Sequence, residues 1–97
     1  MKYKYALLLT GILMLGGCEF PDKEKMNSQL VQSGMAAADA ECYSNLLADA
    51  IDAKVYNEIA LNMSLGETEK SAVNRARRKY GAEFKAPLEK ARKDCTG

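Results

Sequence analysis

The sequence predicts an all-α fold, a small bundle of three or four helices with one disulfide. Three observations lead there. Apolar residues recur three and four apart, the helical spacing, from residue 28 onward. β-branched residues are few and no alternating run exceeds a few residues, so no strand pattern competes. Two cysteines, Cys42 and Cys95, each fall on the apolar stripe of a predicted helix, and antiparallel packing of those stripes brings them into register.

The chain opens with Lys2 and Lys4, then an apolar run from Tyr5 to Leu15 interrupted only by Thr10 and Gly11. This is a signal-peptide layout. As a helix the run would cover roughly half of a bilayer core, which needs about 20 apolar residues, so a permanent span is not expected. It ends in Leu15-Gly16-Gly17-Cys18, which resembles the lipobox of bacterial lipoprotein precursors. There a small side chain beside the cut lets the peptidase take the backbone in extended form. The resemblance implies a signal peptide over residues 1–17, cleavage before Cys18, and a diacylglyceryl and palmitate-type anchor on Cys18. Glu19 stands where, in the enterobacterial sorting pattern, Asp would hold a lipoprotein in the inner membrane. The expected location is therefore the cell envelope, anchored in the outer membrane and facing the periplasm.

Residues 18–27 contain Pro21 and several charges and are read as the lipidated N-terminus and a short tether, with the helical domain over 28–97. Ser28 caps a first helix in which Leu30, Met35, Ala38, Cys42 and Leu46 mark one face as far as Ala50, with Gly34 its weak point. Asp52 caps a second, with a core stripe of Val55, Tyr56, Ile59, Ala60 and Met63. Ser64-Leu65-Gly66-Glu67 matches a capping box and Thr68 offers a second cap, so a third helix starts there. Lined by Ala72, Val73, Ala76 and Tyr80, it ends before Gly81. The last segment carries Phe84, Leu88, Ala91 and Cys95 on one stripe, with Pro87 either in its first turns or starting it.

Cleavage before Cys18 leaves 80 of the 97 residues, one domain near the lower size limit for a core without a staple. Cys42 and Cys95 are the cysteines left after lipidation, and an exported chain keeps disulfides, so they are read as one bridge. There is no histidine in the chain, which argues against a metal site, and no cofactor is expected. From Cys18 onward, 12 Lys and Arg stand against 13 Asp and Glu, a net −1 that does not suggest nucleic-acid binding. Residues 18–66 are acidic and 67–97 basic, as complementary helix faces would be.

Without histidine the chain lacks a Ser-His or Cys-His nucleophile, and an enzyme is not expected. The carboxylate pairs Glu67 with Glu69 and Asp39 with Glu41 are two apart, a spacing that points to different sides of a helix. Nothing marks a Ser-Lys pairing of Ser64 or Ser71 with Lys70. Tyr43 and Tyr56 read as packing residues, although an exposed Tyr43 would also suit recognition. The most unusual local feature is the basic cluster Arg75, Arg77, Arg78 and Lys79. Its simplest reading is a solvated face near a helix C-terminus, where cations suit the macrodipole. Contact with anionic headgroups or with an acidic partner are the alternatives.

The expected function is a noncatalytic one. A domain held on the membrane through the lipid of Cys18 would bind an envelope protein in assembly, targeting or inhibition. In general build the chain is similar to the pilotins, small helical lipoproteins that escort secretin subunits to the outer membrane. That likeness carries no residue over. Exclusion lipoproteins of plasmids and phages are the alternative, and an envelope hydrolase is a more distant one.

Overall fold

The computed structural model describes residues 19–96, which form five helices with no strand among the described residues. The signal peptide of residues 1–17 and the lipidation site Cys18 lie outside the described residues. The helices are α1 (Lys23–Gln32), α2 (Ala37–Ala50), α3 (Ala53–Ser64), α4 (Glu69–Tyr80) and α5 (Lys85–Thr96). Short connections reverse the chain at each step. α2 packs against α5, α3 against α4, and α1 lies against both α2 and α3.

The fifth helix comes from the segment expected to be one helix from Ser28 to Ala50. Asp22, not Ser28, caps its start, accepting a hydrogen bond from the Lys25 N–H at 3.1 Å. Residues 23–27 of α1 thus occupy part of the stretch read as a tether, and Met26 among them is buried. Gly34, at φ +108°, then stops the helix. The Gly34 N–H reaches Val31 O at 3.0 Å and the Met35 N–H reaches Leu30 O at 3.1 Å, the paired bonds of a Schellman stop.

Gly66 ends α3 in the same way, with its N–H on Met63 O and the Glu67 N–H on Asn62 O. The run Ser64 to Glu67 is therefore a helix stop rather than a capping box. Thr68 caps α4, its Oγ1 accepting from the Ser71 N–H at 3.1 Å.

The core stripe of α3 is as expected: Val55, Tyr56, Ile59, Ala60 and Met63 are all buried. So are Ala72, Val73 and Ala76 of α4, while Tyr80 is partly exposed. Phe84, Leu88 and Ala91 are buried and Cys95 packs against the same core, with Pro87 in the first turn of α5. In α2 the buried face is Ala40, Tyr43, Ser44 and Leu47, not the expected Ala38, Cys42 and Leu46. Ala38 and Leu46 are exposed and Cys42 is half-buried at the edge of the face. The Tyr56 hydroxyl donates to Ser44 O at 2.8 Å and fastens α3 to α2 without leaving a buried polar group unpaired. Cys42 and Cys95 form the disulfide, with Cα atoms 5.7 Å apart, joining α2 to the end of α5.

Candidate functional site

The described residues hold three features on which a function can be built: a partly buried polar node, the basic cluster, and exposed apolar side chains at the two ends of the bundle.

The node lies beside the disulfide. The Tyr43 hydroxyl donates to Glu69 Oε2 at 3.0 Å, Arg92 forms an ion pair with the same oxygen, and the Arg92 guanidinium stands 4.8 Å from the Tyr43 ring centroid. Burial pushes the Tyr43 phenol above its ordinary value, and the Glu69 carboxylate adds to the rise while Arg92 opposes it. Burial opposes the charge on Arg92, yet the hydrogen bond and charge of Glu69 hold its pKa above the ordinary value. The Tyr43 hydroxyl and the Arg92 guanidinium share the Glu69 carboxylate, so the node links α2, α4 and α5. It presents no free nucleophile. Tyr43 is fully buried, which makes it a packing residue, as is Tyr56. Burial, and secondarily Asp22, also raises the Tyr56 phenol.

The structure divides the basic cluster in two. Arg75 Nε donates to Glu67 Oε2 at 2.8 Å, and this hydrogen bond holds the Glu67 carboxyl below its usual range. Lys79 Nζ meets Glu58 Oε1 at 3.3 Å, and that hydrogen bond raises the Lys79 pKa. Arg77 and Arg78 are exposed and make no ion pair among the described residues. Two of the four cations therefore knit α4 to α3 and to the turn before α4.

The carboxylates singled out in the sequence do not converge. Glu67 faces Arg75, and Glu69 faces Tyr43 and Arg92. The Ser64 hydroxyl donates to Leu61 O and the Ser71 hydroxyl to Glu67 Oε1, each within its own helix or cap rather than to Lys70. Among the described residues no group of three or more His, Cys, Asp or Glu is placed to hold a metal ion.

The exposed apolar side chains are not legible in the sequence, because no spacing rule separates them from core residues. Leu61 and Leu65, one turn apart at the end of α3, are 44% and 73% exposed. Val31, 43% exposed, sits in the last turn of α1. Gln32 and Ser33 line one cleft with Met63 and Gly66, so α1 and α3 finish at the same end. At the other end Phe20 is 78% exposed. The segment bearing it is fastened to α3 by Asn57, whose Oδ1 accepts from the Asp22 N–H at 2.8 Å. Asn57 Nδ2 donates to Glu19 Oε2 and Phe20 O, both at 2.9 Å.

Comparisons with family models, curated proteins and solved structures return no match to this chain.

Proposed function

We propose that this chain is a lipid-anchored cell-envelope protein that binds another protein in a noncatalytic role, in assembly, targeting or inhibition. The lipobox-like Leu15-Gly16-Gly17-Cys18 supports the anchor. No helix among the described residues is long and apolar enough to cross a membrane. One observation carries the binding role: Leu61 and Leu65, one turn apart at the end of α3, are both exposed, at the end of the bundle away from the Glu19 to Asp22 segment. Exposed apolar side chains that adjoin, as two leucines one turn apart do, suit an interaction surface, whereas single ones are ordinary. The turn of Leu65 and Gly66 is held by a Schellman stop, so the surface is presented in one conformation.

A photocrosslinking side chain at position 65, tested in intact envelopes against the same group at the exposed position 90 of α5, examines this reading. A discrete protein adduct from position 65 that is lost in a Leu61→Ser background supports it. Identical adducts from both positions, or none, would count against a binding role at this end.

A further inference from the structure

Building on the lipid-anchored reading, we infer that the end of the bundle where the chain enters rests on the bilayer itself, with the Phe20 side chain in the headgroup zone. Cys18 precedes the first described residue, so the Cα of Phe20 lies within about 7 Å of the Cα that bears the lipid. The polar zone on each face of a bilayer is about 5 to 7 Å deep. Acyl chains seated in the hydrocarbon therefore bring Phe20 into or against that zone whatever the conformation of the single residue between them. An aromatic side chain gains there by leaving water.

The residues after Phe20 decide the orientation of the rest. Asn57 binds Glu19, Phe20 and Asp22 at once, and α1 begins at Lys23, so the anchor passes straight into the bundle without slack. Among the described residues, Phe20 is the most exposed of the large apolar side chains. The same end carries the close of α2, the start of α3 and the turn from α4 to α5. A cleft of about 360 Å³ there is lined by Ile51, Val55, Tyr80, Phe84 and Pro87 among others. Charge does not select the surface. The charged groups lining the cleft, Lys54, Asp52 and Glu83, are of both signs. Seating is thus apolar and insensitive to salt, and it does not require anionic lipid. This places Leu61 and Leu65 at the membrane-distal end.

The chain has no tryptophan, which allows a single reporter to be read. The mature lipidated protein, purified from membranes and reconstituted in phosphatidylcholine vesicles containing brominated phosphatidylcholine, is made with Phe20→Trp, with Leu65→Trp or with Tyr80→Trp. Expected are strong quenching and blue-shifted emission for Phe20→Trp, clear quenching for Tyr80→Trp, and solvent-like, unquenched emission for Leu65→Trp. Adding Asn57→Ala to the Tyr80→Trp variant should cut its quenching several-fold while Phe20→Trp stays quenched. Equal quenching at positions 20 and 65, or none at position 20 in protein that floats with the vesicles, overturns the orientation and leaves the anchor intact. Quenching at position 80 that ignores Asn57→Ala overturns the role of the clamp. Protein that carries no lipid and does not float removes the anchor reading and this inference with it.

Discussion

Removing the disulfide with Cys42→Ala and Cys95→Ala tests the fold at the point where the end of α5 is joined to α2. The bridge closes a loop of sequence separation 53. In the chain-entropy description a loop of that length destabilises the unfolded state by about 4 kcal/mol at 25 °C. Unfolding a domain of about 80 residues carries an entropy of about 0.16 kcal/mol/K, so the midpoint should fall by about 25 °C. Both cysteines are half-buried, and little apolar burial is lost on truncation to alanine. The Tyr43, Glu69 and Arg92 node still joins α2, α4 and α5, so the variant should be helical below its lowered midpoint. Circular dichroism melts of the oxidised, reduced and double-alanine proteins measure the effect, and the last two should coincide. The unlinked chain should also give a larger denaturant m value, because its unfolded state exposes more surface. A double-alanine variant melting within a few degrees of the oxidised protein would refute the reasoning, as would alkylation of both thiols in nonreduced, folded protein.

Gly34→Ala should lower stability by about 1 to 2 kcal/mol, because φ +108° is strained for any side chain although the space around it is open. A melting midpoint within experimental error of the wild type would show that the break does not need glycine. Tyr43→Phe removes a hydrogen bond to a carboxylate and should cost about 1.5 to 3 kcal/mol in denaturant melts, with the helix content unchanged. The Tyr43 and Tyr56 phenols have folded-state values above the ordinary 10.0. The stability this contributes is complete below about pH 10 and is lost as pH rises further, since the unfolded chain ionises first. In a Tyr80→Phe background, phenolate absorbance should therefore appear together with loss of helicity. Ionisation of both phenols at the ordinary value with helices intact would contradict their burial. Cys18→Ser should give an unlipidated product absent from the detergent phase, and sucrose gradients should place the wild type with outer-membrane markers. Cofractionation with the inner membrane would defeat the inference from Glu19.

The sequence exposed most clearly those elements whose apolar stripes are dense. Five buried residues of α3 repeat at helical spacing, and Thr68 and Gly81 bracket α4. The start of α1 was hidden because its one deep early contact, Met26, lies between Lys25 and Asn27 and so reads as part of a polar stretch. The face of α2 is hard to read from the sequence because a bridging cysteine need not be a core residue. The disulfide instead lies at the edge, and the buried stripe passes through Tyr43 and Leu47. The spacing of Leu30, Met35 and Ala38 continued plausibly across a glycine whose backbone angle cannot be read from composition. In the basic cluster, the partners of Arg75 and Lys79 are 8 and 21 residues away, so only the folded turn before α4 and the packing of α3 on α4 show which cations are already satisfied.

The position of the disulfide also gives the chain a mechanical asymmetry. Residues 42–95 form a covalent ring that contains α3, α4 and nearly all of α5, whereas α1 is a linear branch outside it. A pull delivered at residue 19 must break the Asn57 hydrogen bonds and then peel Met26 and Leu30 from the core before tension passes along the chain into the ring. Opening is then stepwise: α1 should exchange its amide hydrogens at a lower free energy than α3 or α4. The ring would keep its shape under loads that have already unzipped the branch.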